Sequence, residues 1–378
     1  MGFGLYVHYP FCRRVCPYCD FCVETSKNAD PDRYSEALLR ELERRAPMFD
    51  EFGLLETIYI GGGTPSLWTV SSLKHWLEVA ARRFPTASNL EITLEVNPED
   101  VSLDLLHGWY DVGINRLSVG AQSLNDKFLQ QLGRGHSGEH VEQCIRWIQT
   151  AGYRNWNVDL IHGMVGQTLA ESLLDVKRVI DLGTPHLSTY QLTIEENTRF
   201  GQRARRGEQL NVEDGMLASM YQGIVDLNEA HGRRQYEVSN AAFEGFESRH
   251  NLGYWLGKPY LALGVGAHGF APSGDGGIRY ANAPGVSNYV GAMFSPNPGQ
   301  GIPCEISEFG QSELMEDLLM TGLRLRDGIK PSAEMTRVYA NRVDSLCKRG
   351  LMRKTSQCWQ VTSRGRAVLD HVLEQLLS

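Results

Sequence analysis

Six short runs rich in β-branched and aromatic residues alternate with amphipathic stretches through the first half of the chain, and that alternation limits the folds open to it. The runs are GLYVHY (4–9), ETIYIG (56–61), LEITLEV (90–96), INRLSVG (114–120), NWNVDLI (155–161) and HLSTYQLT (186–193). Between them DRYSEALLRELERRA (32–46), VSSLKHWLEVAARRF (70–84) and EHVEQCIRWIQTAG (139–152) repeat apolar residues at three- and four-residue steps, the period of a helix with one buried face. Asp30–Pro31 and Ser71–Ser72 supply helix-start chemistry, and Gly152 a stop. Six strand–helix units predict an α/β protein with a parallel sheet, open or rolled into a barrel. Ligands of such sheets sit at the C-terminal ends of the strands.

After about residue 200 the alternation breaks. RARRGEQLNVEDG (203–215) is polar and leads to a helix near 213–230; YEVSN (236–240) and YLALGVGAHGF (260–270) read as further strands. The Gly/Pro-rich stretch 272–302 reads as loop and linker. Residues 311–378 read as a compact helical piece whose WQVT hairpin suggests a winged-helix-like module of mixed charge, a cap rather than a DNA reader. The expected organisation is a core over 1–235, a flanking segment over 236–303 and a C-terminal helical domain over 304–378. A net charge of −8 gives no bulk attraction for nucleic acid. Without an eighteen-residue apolar run or a signal-like N-terminus, the expectation is a cytoplasmic protein with no membrane span.

Four of the eight cysteines fall in CRRVCPYCDFC, residues 12–22. In a reducing compartment clustered cysteines are more often metal or redox ligands than disulfides. Zinc usually takes two ligand pairs, and no second CxxC exists; Cys144, Cys304, Cys347 and Cys358 stand alone, as small core or surface residues. The C-x3-C-x2-C spacing of Cys12, Cys16 and Cys19 suits a loop in which each thiolate binds one iron of a cubane, leaving one iron open. GGGTP (61–65) follows the second apolar run, where glycines let backbone N–H groups approach a polar ligand; a tight strand-to-helix turn is the plainer reading. Glu95, Gln122, Arg134 and Asp159 are polar groups near strand ends. Singly each suits a structural salt bridge as well as a site; a carboxylate there suits ribose hydroxyls, and an arginine a carboxylate.

YVHYPFCRRVCPYCDF, IYIGGGTPSLW, EITLEVNPED, GINRLSVGAQS, LGRGHS, NVDLIHGMVGQT and PHLSTYQLTIEENT together resemble the coproporphyrinogen-oxidase-like branch of the radical S-adenosylmethionine (SAM) superfamily, over the chain from Tyr6 to its end. The resemblance implies a partial (β/α)6 barrel with a smaller α-rich C-terminal domain. It implies a [4Fe–4S] cluster on Cys12, Cys16 and Cys19 whose open iron is chelated by SAM, and GGGTP as the element holding the SAM amino group. Tyr6, Gly62, Glu95, Gln122, Arg134 and Asp159 fall where that branch contacts one SAM, and Tyr18, Gly63 and Thr64 where its dehydrogenases hold a second. A reductant protein such as flavodoxin or ferredoxin would supply the electron.

Three features choose within the branch. The dehydrogenases (HemN) place a fourth cysteine where this chain has Phe21; Cys22, one residue on, departs from both HemN and HemW and stays unassigned. Only five residues precede Tyr6, where HemN has a covering extension. RHNLGYW (249–255) carries HNxxYW, which resembles the motif marking the heme chaperones (HemW). It points to His250 as an axial heme ligand beside a flat Tyr–Trp surface, against the plainer reading of a hydrogen-bonded structural histidine. The resemblance therefore implies a heme chaperone that passes heme to a recipient hemoprotein, at the membrane surface. The rivals are coproporphyrinogen III dehydrogenation, methyl transfer, and a zinc-stabilised binding module. His268 is expected in a glycine-rich turn closing the SAM pocket, Arg203, Arg205 and Arg206 on a solvated face. Gly163-Met164-Val165 replaces Gly-Leu-Pro, and NPED (97–100) replaces NPG; neither is expected to touch an assigned group.

Overall fold

The structure, a computed structural model, describes residues 2–296 and 301–378. Six strands run parallel in chain order: β1 (Phe3–Tyr9), β2 (Leu55–Gly62), β3 (Thr86–Val96), β4 (Arg116–Gln122), β5 (Asn155–His162) and β6 (His186–Gln191). The connecting segments carry α1 (Pro31–Arg45), α2 (Val70–Arg83), α3 (Leu103–Asp111), α4 (Gly138–Thr150) and α5 (Leu169–Asp181), and α6 (Asp214–Ala230) follows β6. The expected α/β partial barrel is the observed fold. Local chemistry sets the helix starts. Asp30 accepts the Arg33 N–H with Pro31 in the first turn of α1, and Thr69, rather than the two serines, caps α2 by accepting the Ser72 N–H.

Side chains alternate across a strand, and here the two faces differ in chemistry. Ile58, Ile60, Leu94, Leu117, Val119, Val158 and Leu160 are buried in one core shared with the helices. The intervening residues, among them Thr57, Tyr59, Thr93, Glu95, Arg116, Ser118, Asn157 and Asp159, give the barrel a polar interior. Asn157 Nδ2 ties it together, donating to Ser118 Oγ (2.8 Å), Asp159 Oδ1 (2.8 Å) and Ser188 Oγ (3.2 Å). A lumen of this kind leaves its upper end fit for a polar ligand.

The sheet continues past both barrel edges. β7 (Arg234–Gln235) and β8 (Asn240–Ala242) add antiparallel beyond β6; the run read as one strand, 236–240, is mostly the turn between them. At the other edge β9 (Tyr260–Leu263) pairs parallel with β1, and β10 (His268–Ser273), β11 (Gly276–Asn282) and β12 (Cys304–Phe309) follow antiparallel. So 260–270 is two strands joined by a glycine turn, and the stretch read as loop holds β11 and a helix, whereas 297–300 lie outside the described residues. Helix α7 (Arg249–Trp255) carries HNxxYW, and α8 (Val286–Met293) packs on α1. The C-terminal piece has its own core, with Leu319 of α9 (Gln311–Gly322), Tyr339 and Val343 of α10 (Ala333–Lys348), Trp359 of the hairpin β13 (Met352–Lys354)–β14 (Trp359–Val361), and Val372 of α11 (Leu369–Leu377). Among the described residues, no helix is long and apolar enough to cross a membrane.

Candidate functional site at the barrel mouth

The loop after β1 folds back over the strand ends. Gly63 N–H donates to Tyr9 O (2.7 Å), Thr64 N–H to Phe11 O (3.0 Å) and Glu24 N–H to Pro10 O (2.8 Å), so the cysteine loop and GGGTP are laced to each other. Together they bound a cavity of about 540 Å³ lined by Cys12, Cys16, Cys19, Tyr18, Gly62, Gly63, Thr64, Glu95, Gln122, Arg134 and Asp159. Eleven of the thirteen residues expected in the site are thus brought together; Tyr6 and His250 are the two that are not.

Each wall has a reason. Gly62 has φ +110°, and a Cβ there would come within 2.6 Å of the His8 ring, so the position admits only glycine comfortably. Its N–H donates to Glu95 Oε2 (3.0 Å), and Tyr59 OH donates to Glu95 Oε1 (2.8 Å). Burial pushes the Glu95 carboxyl up to about 7; those two donors pull it down and the charge of Asp159 pushes it further up. Burial also raises Asp159, against hydrogen bonds from Ser188, Ser118 and Asn157. Gln122 holds φ +67°, the one non-glycine in the left-handed region among the described residues, beside a register shift between β4 and β5. Strain held at a strand end that faces a cavity is a mark of a site.

Arg134 bridges the strand ends and the cysteine loop. Its Nη2 donates to Asn97 Oδ1 (2.6 Å) and Gly120 O (2.9 Å), its Nη1 lies 3.7 Å from Cys16 Sγ, and its buried Nε has no partner. An unpaired buried guanidinium N–H is costly unless an anionic oxygen completes it. The three thiols do not converge on one point: among the described residues no three His, Cys, Asp or Glu side chains close around a single metal-ion position. A cubane asks for the other arrangement, one thiolate on each of three irons. Burial is the leading cause raising Cys12 and Cys19, the latter to about 11, so metal must displace protons there.

The segment NPED does touch the site, contrary to expectation: Asn97 holds Arg134, Glu99 lines the cavity, and Asp100 pairs with Arg13 of the cysteine loop at 2.7 Å. Tyr59, Ser118 and Tyr190 also line it and escape the sequence reading. For Ser118 the signal is period-two polarity inside an apolar run; Tyr59 and Tyr190 leave none, since tyrosine counts among strand formers. Tyr6 lies outside this cavity, its OH 3.0 Å from His8 Nδ1 and its ring stacked on Tyr59 at 6.3 Å. His268 lies elsewhere too, on a second cavity, and closes no part of this one.

His250 is buried, 3% exposed. Its Nδ1 is 2.7 Å from Thr57 Oγ1, its Nε2 is 2.7 Å from Tyr254 OH, and its ring stacks on Tyr59. Burial, with the nearby Arg116 charge, lowers its pKa to about 3, so it is neutral with both nitrogens engaged. The axial-ligand role expected of His250 is left without a free nitrogen.

The fold and this site define a class. Residues 6–177 match the Radical SAM superfamily. The structure superposes on coproporphyrinogen III oxidase (HemN) from Escherichia coli with a TM-score of 0.82, covering 99% of this chain and 89% of that one at 21% identity, which shows the shared fold. The heme chaperone HemW of Haemophilus influenzae is 34% identical, with 99% of this chain and 98% of the relative covered; that of Escherichia coli is 33% identical over 99% and 98%. The chain belongs to the HemW family of radical SAM proteins. Membership implies a [4Fe–4S] cluster and SAM, and the donor set fits both, with three thiols, an unpartnered guanidinium N–H and the Glu95 and Asp159 carboxyls around one cavity. Bound there, the cluster would supply one-electron chemistry beside the SAM.

Glu95 makes the site pH-sensitive. Its folded pKa stands above its ordinary value of 4.5, so the native state keeps a proton that the unfolded chain has lost. The stability this contributes is full below the unfolded pKa and is lost as pH rises through about 7. Glu95→Gln is expected to flatten that decline, seen as a melting temperature that changes less than wild type between about pH 5 and about pH 8. Parallel curves would place the titration elsewhere.

Proposed function

We propose that this chain is a heme chaperone. It binds heme and passes it to a recipient hemoprotein, in the cytoplasm or against the membrane surface. Its similarity to heme chaperones along 99% of its length carries the reading. In it Cys12, Cys16 and Cys19 hold the cluster. Arg134 takes the SAM carboxylate through its unpartnered Nε, Gly62 faces the amino group, and Glu95 and Asp159 accept hydroxyl or ammonium hydrogens. Gln122 is a further SAM contact, and Tyr6 supports this wall through His8 and Tyr59. Tyr18, Gly63 and Thr64 line the same cavity on the cysteine-loop side, where a second SAM would lie. A flavodoxin- or ferredoxin-type protein serves as reductant.

The furnished SAM cavity is the observation that favours the rival reading, turnover of coproporphyrinogen III. Anaerobic reconstitution followed by hemin titration separates the two. The chaperone reading expects saturable, stoichiometric binding and transfer to an apo-hemoprotein. No heme binding, with 5'-deoxyadenosine and protoporphyrinogen formed from SAM, reductant and coproporphyrinogen III, would sink it.

A further inference from the structure

A second cavity, of about 850 Å³, lies on the far side of the cysteine loop from the SAM cavity. Asp20 and Phe21 line both. Its other walls include Tyr254 and Trp255 of α7, Tyr260 of β9, Cys22, and His268 at the start of β10. The volume is in the range of sites that enclose flat, largely apolar ligands, and three aromatic side chains supply the surface such a ligand stacks on. Tyr254 and Tyr260 are locked edge to face with ring centroids 4.5 Å apart, so that surface is preformed. Phe21, 66% exposed at the loop, is apolar surface with no cover of its own.

Iron in a porphyrin needs a donor with a free lone pair. Two histidines line this cavity and a third stands behind it. His8 spends Nδ1 on Tyr6 OH (3.0 Å) and Nε2 on Cys22 O (2.8 Å). His250, behind Tyr254, spends both nitrogens as described. His268 is exposed, and its ring makes no hydrogen bond to any described residue. It also lines an adjoining hollow whose cation is Arg279, paired with Asp317, a partner for acidic substituents at a porphyrin edge.

We propose that heme binds in this second cavity with His268 as iron ligand and Tyr254, Trp255 and Tyr260 as its walls. His250 is then a positioning residue: it holds the Tyr254 hydroxyl at 2.7 Å and packs against its ring at 4.8 Å, and does not touch iron. The inference rests on the chaperone reading and assigns its ligand site.

Hemin titration of the full chain, followed by absorbance and resonance Raman, tests it on wild type, His268→Ala, His250→Ala and Cys22→Ser. The His268→Ala variant is expected to lose the imidazole–iron signature, to bind at least ~10-fold more weakly, and to recover the signature on adding imidazole. His250→Ala is expected to keep the signature with weaker binding. Because His268 is exposed, its variant should keep the wild-type circular dichroism and melting temperature. If wild type takes up no heme, the chaperone reading itself fails. If wild type binds and the signature survives in His268→Ala but vanishes in His250→Ala, or is a thiolate signature abolished by Cys22→Ser, the chaperone reading stands and this assignment falls.

Discussion

Alanine in place of Cys16 is expected to leave a folded protein that no longer takes up iron. Cys16 is half-buried, and among the described residues its side chain is hydrogen-bonded to Arg134 Nη1 alone, at 3.7 Å, so removing it costs the fold little. On the proposed assignment the cluster has no such latitude, because each of the three thiols would serve its own iron. Losing even a supporting partner at a metal site costs ~10–100-fold in affinity, and a direct ligand costs at least as much. After anaerobic reconstitution the variant should lack the visible iron–sulfur absorbance and the matching iron content, with its melting temperature close to that of the metal-free wild type. Cys22→Ala, whose thiol faces the other cavity, should load normally. A Cys16→Ala protein that still loads, or a Cys22→Ala protein that does not, would take the cluster off the first three cysteines.

Glu41→Ala is expected to be the most destabilising single change outside the barrel mouth. Its carboxylate is fully buried and takes four donors: Arg45 Nε (2.8 Å), Asn282 Nδ2 (2.7 Å), Tyr289 OH (2.6 Å) and Gly264 N–H (2.8 Å). These come from α1, β11, α8 and the turn after β9, so one side chain fastens the extended edge of the sheet to the first helix. Arg45 lies against the Tyr280 ring at 3.7 Å and is itself only 5% exposed. Removing its partner strands a buried guanidinium, which costs about 3–5 kcal/mol. For a chain of this size that is a fall in melting temperature on the order of 10 °C. Removing the surface pair Arg40–Glu36, by contrast, should cost about 0–1 kcal/mol. A Glu41→Ala shift as small as the surface one would show that the four contacts carry no such load.

The barrel was legible because its strands are short apolar runs and its helices keep one apolar stripe; both are local patterns. The edge hairpin was not. Its glycines resemble loop composition, yet Gly277 sits in β11 because the Phe270 ring fills the place a Cβ would take, 2.7 Å away. Nothing local reports that ring. In the site, Glu95, Gln122 and Asp159 could be picked out as polar groups closing apolar runs. Tyr59 could not, since tyrosine counts among strand formers, and Asn97 sits in a segment that looked dispensable. His250 shows the limit in the other direction. A motif names the residue, but which of its nitrogens are already taken depends on Thr57, 193 positions away, and on Tyr254.

The cysteine loop is a party wall. Its residues Asp20 and Phe21 face two cavities at once, and the backbone carbonyl of Cys22 is pinned to His8 from beneath. Thermodynamics makes such a wall even-handed: if an occupant on one side shifts it and so changes affinity on the other by some factor, the second occupant changes affinity for the first by that same factor. A chain with its two rooms built back to back can therefore report the state of one in the tenancy of the other, with no long-range relay between them.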